Sequence, residues 1–184
     1  MSTYTAKIFW KNDSPDTFTK NRYTRGHTWT FDGGIEVPAS SSPHAVRVPF
    51  SVEEAVDPEE ALVASASSCH MLTFLWIAAK RGFLIDSYED NAVGEMTKNE
   101  NGVEWMSKIT LDPKIAWSGE KLPTDEELAE MHHEAHEQCY IANSVKSEIV
   151  LSEPGAIATG SQSEPPASAG GFLLSDPGVI ATGQ

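Results

Sequence analysis

Positive charge is what this chain has least of. Its 13 Lys and Arg stand against 27 Asp and Glu, a formal net charge of -14. A surface of that sign repels phosphate backbones and anionic lipid, which argues against nucleic acid and membrane surfaces as partners. The N-terminus, Met1-Ser2-Thr3-Tyr4-Thr5-Ala6-Lys7, carries no apolar run, so no signal peptide is expected. The longest apolar-rich stretch, Met71 to Ala79, is too short to span a bilayer. These absences place the chain in a bacterial-type cytosol. Cysteine is equally sparse, with only Cys69 and Cys139. A reducing compartment disfavours a standing structural disulfide, so such a pair reads as redox-active or incidental. The chain also lacks the Gly-rich phosphate loops and the nucleophile elbow of serine hydrolases. No cofactor is therefore expected.

What is present is one domain's worth of core. Hydrophobic residues make up 40% of 184 residues, enough to bury a centre in a domain of this length. Tyr4 to Trp10 loosely alternates, as a strand does. His27-Thr28-Trp29-Thr30-Phe31, Asp32-Gly33-Gly34 and Ile35-Glu36-Val37 read as strand, tight turn and strand. Asp57, Pro58 and Glu60 then supply an N-cap, a first helical position and a capping-box partner. The helix they open runs without internal Gly or Pro from Ala61 to Lys80 and stops at Gly82. It is apolar around most of its circumference, so it must be buried on several sides, which in a chain this short suggests a dimer core.

Two strand-like segments follow, about Ser87 to Lys98 and Val103 to Ile115, joined by a turn at Asn99-Glu100-Asn101-Gly102. Thr124 and Glu127 cap a second helix running to about Cys139, and Ser144 to Leu151 is a last strand. The order predicts an α+β fold, with helices against antiparallel sheets. The domain is expected to end at Leu151. Residues 152–184 have no Lys or Arg and are rich in Gly, Ser, Ala and Pro. They hold two near-copies, from Leu151 to Gly160 and from Leu174 to Gly183. Such a composition cannot offset its ordering entropy, so a disordered tail is expected.

Cys69 sits mid-helix between Ser68 and His70 in an apolar run. On position alone it could be a small buried hydrophobe. A helix dipole acts only in the first and last turns, so a thiolate there needs a cation brought from elsewhere.

The run from Asp57-Pro58-Glu59 to Ser68-Cys69 resembles the first-cysteine helix of the OsmC/Ohr family, with the cysteine ten residues beyond the glutamate. Cys139, at the end of the second long helix, matches that family's resolving cysteine, and the strand order and the Asp32-Gly33-Gly34 hairpin fit as well. The resemblance covers about residues 4–151. It implies an intertwined homodimer with sites at the subunit interface, and reduction of organic hydroperoxides through a sulfenic acid and then a disulfide. Cys69 would be the peroxide-attacking residue and Cys139 the resolving one, with a lipoyl-type dithiol as the reductant the resemblance implies. It further implies an arginine held by Glu59. Arg25, just before the first hairpin, is favoured, while Arg47 in the loop before the helix stays open. Ten helical residues span about 15 Å, so Glu59 cannot reach Cys69 on its own chain. If both serve one site, Glu59 comes from the opposite subunit. Two positions depart from the organic-peroxide branch: Tyr140 follows Cys139 where proline is usual, and His70 follows Cys69.

His132 and His136 are four residues apart on one helix, and His133, His136 and Cys139 form another candidate set. No second cluster supplies closing ligands, so no metal site is expected. The rival function is a non-catalytic, stress-linked binding protein or a metal carrier using His132, His136 and Cys139.

Overall fold

A computed structural model describes residues 1–152. The strands are β1 (Ala6–Phe9), β2 (His27–Phe31), β3 (Glu36–Ala39), β4 (Leu84–Asp90), β5 (Val93–Lys98), β6 (Glu104–Leu111), β7 (Pro113–Ser118) and β8 (Glu148–Leu151). The helices are α1 (Pro15–Phe18), α2 (Pro58–Lys80) and α3 (Asp125–Gln138). Three small sheets result, ordered β1-β2-β3, β4-β7 and β5-β6-β8. The α+β expectation holds. The segment beyond residue 152, which contains most of the repeat, lies outside the described residues. Ser152 itself is tied to the body, its N–H donating to Leu111 O at 2.7 Å and its hydroxyl to Asp112 Oδ1 at 2.6 Å.

The two long strands expected in mid-chain are in fact four. β4 pairs with β7, whereas β5 pairs with β6, so each of the two runs leaves one sheet and enters another. The corner is held by Asp90. Its Oδ1 accepts the Asp112 N–H at 2.7 Å, and its Oδ2 accepts the Ser67 hydroxyl of α2. The last strand is also shorter than expected, because residues after Cys139 first make a turn closed by Asn143 N–H to Cys139 O and Ser144 N–H to Ile141 O. β8 then joins β6 in parallel, the one parallel pair among these sheets. The return through α3 supplies the long crossover that a parallel pair needs.

Both capping boxes form. Asp57 Oδ1 accepts from Glu60 N–H at 2.8 Å while Glu60 Oε2 accepts from Asp57 N–H at 3.1 Å. Thr124 and Glu127 exchange the same two bonds at the start of α3. Gly82 ends α2 with φ at +79°, a conformation that favours glycine. At 23 residues α2 is long and apolar enough to cross a membrane, which the shorter Met71–Ala79 run did not suggest. Here it is a packing helix, in contact with α3, β4, β5 and β6.

Two apolar clusters hold the body together. Phe74, Ile77 and Ala78 of α2 pack with Phe83, Met131 and Ala135. Nearer the start of α2, Ala66 packs with Met106, Ile109 and Leu111 of β6. The opposite face of the helix is uncovered in the single chain, leaving Leu72 62% and Trp76 53% exposed.

Gly94 of β5 lets the sheet approach α2. A Cβ at that position would lie 2.5 Å from Met106 Sδ and 2.6 Å from Val63 Cγ2. Gly94→Val should therefore cost about 1–3 kcal/mol through overpacking. Denaturant unfolding measures this, and an unchanged midpoint would mean that α2 and β5 are not in close contact.

Candidate active site

Cys69 lies in the middle of α2, and Cys139 is the residue on which α3 ends. Their sulfurs are 2.7 Å apart, with the Cys139 thiol donating to Cys69 Sγ. Cys69 is half-buried and Cys139 is only 1% exposed. The turn after α3 aims main-chain donors at both sulfurs: Ile141 N–H lies 3.5 Å from Cys69 Sγ, and Ala142 N–H lies 3.4 Å from Cys139 Sγ. Burial, and next the hydrogen bond to Cys69, push the Cys139 thiol up to about 11. Cys139 thus keeps its proton and offers it to Cys69. The pair is asymmetric: the half-buried Cys69 sulfur accepts from both Cys139 and Ile141, whereas the buried Cys139 sulfur donates to Cys69 and accepts from Ala142.

Arg25 and Glu59 lie elsewhere on the chain, lining a cavity of about 530 Å³ with Trp10, Phe18, Tyr23 and His27. Neither cysteine lines it. No ion pair joins Arg25 to Glu59 in the single chain, a departure from the expected glutamate-held arginine. The guanidinium instead lies over the Tyr23 ring, 3.9 Å from its centroid, and donates to Tyr23 O at 2.6 Å and Asn21 Oδ1 at 2.5 Å. Arg47 is exposed in the loop before α2 and does not line the cavity.

The histidines divide by exposure. His132 is buried, and its Nδ1 sits 3.0 Å from His70 Nε2 with the two rings only 9° from parallel. His133 and His136 are exposed, and His133 faces Glu137 at 3.4 Å. Among the described residues no group of three His, Cys, Asp or Glu side chains is arranged to hold a metal ion. His132 Nδ1 is committed to His70, and the Cys139 sulfur to Cys69. This pairing was hidden in the sequence because the i, i+4 spacing of His132 and His136 groups them on one helix face. Only the docking of α3 on α2 separates them. The histidine following Cys69, seen at first only as a departure, is the other half of the pair.

A family model described as OsmC-like protein matches residues 51–153, more than half of the chain. The chain belongs to the OsmC-like family. An OsmC-like protein of unknown function from Vibrio cholerae is 53% identical, with a TM-score of 0.80 over 83% of this chain and 99% of that one. An organic hydroperoxide resistance protein from Elizabethkingia anophelis, at 16% identity, has a TM-score of 0.60 over 84% of this chain and 98% of its own. The organic hydroperoxide resistance protein OhrB of Bacillus subtilis, at 18% identity, has a TM-score of 0.55 over 82% and 98%. These two similarities establish the shared fold. Comparison with the curated proteins gave no match.

The buried imidazole pair makes the stability of this OsmC-like fold depend on pH. Burial, then His136, lowers His70 from 6.5 to about 4, with Asp90 opposing; burial, then His70, lowers His132 to about 4. The unfolded chain therefore takes up protons before the folded one does. Stability is full above about 6.5 and is lost as the pH falls toward 4. The double variant His70→Leu/His132→Leu should lose less stability than the parent chain between pH 7 and pH 5. Melting temperatures across that range check this, and an identical acid slope would place the dependence elsewhere.

Proposed function

We propose that this chain is a homodimeric thiol peroxidase that reduces organic hydroperoxides through a two-cysteine cycle. The observation that carries this reading is the 2.7 Å approach of Cys69 and Cys139 sulfurs. In a reducing compartment such as the cytosol the resting state is the dithiol. The Cys69 thiolate attacks the distal peroxide oxygen and breaks the O–O bond. The alkoxide leaves, takes a proton and becomes an alcohol, and Cys69 becomes a sulfenic acid. Cys139 then attacks the Cys69 sulfur. The S–O bond breaks, its oxygen leaves as water with the thiol proton, and a disulfide forms. An external dithiol of the lipoyl type reduces that disulfide and is itself oxidised.

Arg25 and Glu59 enter from the partner subunit in this reading. The exposed strip of α2 at Leu72 and Trp76 is the face that two copies would bury. Two such helices packed antiparallel bring the Arg25 and Glu59 cavity of one copy over Cys69 of the other. The guanidinium then stabilises charge on the thiolate and on the peroxide oxygens. The family membership, and the naming of related folds as organic hydroperoxide resistance proteins, support the same substrate class. The rival metal carrier has less support, since its three residues are committed or set apart.

Peroxide consumption measured with cumene hydroperoxide and hydrogen peroxide side by side tests the reading. Cys69→Ser should abolish turnover of both. Cys139→Ser should complete one turnover and leave Cys69 as a sulfenic acid that overoxidises further. Sustained turnover by Cys69→Ser would refute the assignment.

The shared site is tested separately. Trp76→Glu should shift the chain toward monomer in analytical ultracentrifugation and lower its activity in proportion. A fully active monomer would remove the partner's Arg25 and Glu59 from the mechanism.

A further inference from the structure

β2 begins two residues after Arg25, and its alternation puts His27 and Trp29 on the same side of the strand. Both imidazole nitrogens of His27 are engaged. Nδ1 lies 2.7 Å from the Arg25 main-chain carbonyl, and Nε2 lies 2.8 Å from the Trp29 indole Nε1. The chemistry of the two partners fixes the proton. A carbonyl oxygen only accepts, so Nδ1 must carry hydrogen. An indole N–H only donates, so Nε2 must present its lone pair. Only the neutral Nδ1–H tautomer satisfies both bonds.

We propose that His27, locked in this tautomer by Trp29, is a positioning residue that holds the Arg25 main chain at the cavity it shares with Glu59. The inference rests on the reading of Arg25 as the active-site arginine. Arg25 is clamped from both sides, because its own N–H donates to Phe50 O at 2.8 Å while its carbonyl accepts from His27. The neighbouring residues are fixed in the same way. Trp10 Nε1–H donates to Thr24 O at 2.9 Å, and Gly26 N–H donates to Thr24 Oγ1 at 3.0 Å. A Cβ on Gly26 would come within 3.2 Å of that same oxygen, so the segment is closely fitted. Among the described residues the guanidinium, by contrast, is held only by groups of its own loop at Asn21 and Tyr23, plus the Tyr23 ring. Where the charge sits is therefore set by where the main chain is pinned. His27 has no nitrogen left for substrate, so it acts through Arg25 and is not itself an acid or a base.

The two ends of the imidazole can be replaced one at a time. Asparagine can put an amide N–H near the Nδ1 position, whereas glutamine reaches toward Trp29 and leaves the Arg25 carbonyl without a donor. His27→Gln should lower kcat/KM for cumene hydroperoxide on the order of tenfold, in line with the cost of a small misplacement at a reacting centre. His27→Asn should restore most of that rate. Melting temperature and dimer content are recorded for both variants. Nitrogen NMR of the imidazole in the wild-type dimer should find the proton on Nδ1. Equal rates for Asn and Gln, a loss of rate that merely follows stability, or a proton on Nε2 would each overturn the proposal. Arg25→Ala separates the two levels of the argument. If it is slow while His27→Gln is not, this inference alone falls. If Arg25→Ala keeps the wild-type rate, the Arg25 reading falls and this one falls with it.

Discussion

The contact between Cys69 and Cys139 needs two helices to cross at one place. Cys69 is mid-way along α2, and Cys139 is the point at which α3 stops. Any sliding of one helix past the other would part the sulfurs. The crossing is fixed by three kinds of interaction along its length. Met131 and Ala135 of α3 pack into the Phe74 and Ile77 cluster. The His70–His132 hydrogen bond is buried beside it. At the solvent end Arg81, just after α2, pairs with Glu134 at 2.9 Å and Glu130 at 3.3 Å. Those partly exposed ion pairs add little energy, so apolar packing carries most of the fixation.

The same crossing gives the two sulfurs different characters. Cys139 lies at the closed side, with burial opposing its ionisation. Cys69 lies on the side of α2 that also carries uncovered apolar surface. A helix apolar all round cannot be satisfied inside one small chain, and Leu72 and Trp76 stay exposed in the single chain. Burial on one side builds the thiol pair, and the other side stays uncovered in the single chain. Acidic residues outnumber basic ones about two to one on this chain, and the cavity holds one of each charge, Arg25 and Glu59.

Much of this was legible in the sequence because it is local. Asp57-Pro58 with Glu60, and Thr124 with Glu127, are chemical signals that need no tertiary context, and both formed as expected. The two cysteines could be singled out only through the resemblance of the Asp57 to Cys69 run to the OsmC/Ohr family, since position alone left Cys69 open to being a buried hydrophobe. The split of the mid-chain strands was not legible, because Asp90 bends the chain through partners 22 and 23 residues away. The inward turn of His132 was equally hidden, since helical spacing gives the faces of a helix but not which face docks. Arg25 and Glu59 could be named, but their separation within one chain depends on how β1–β3 sit against the start of α2. The parallel pairing of β8 follows from the α3 crossover, which periodicity alone does not reveal.

The account stands on one claim, that Cys69 and Cys139 are a working redox pair. Counting free thiols on the intact chain, before and after one equivalent of cumene hydroperoxide, tests it most directly. The count should fall from two to none per chain, with intact mass reporting loss of two hydrogens and no added oxygen, and a dithiol should restore both thiols. Two thiols persisting after peroxide, or oxygen retained on Cys69 in place of a disulfide, would contradict the two-cysteine account.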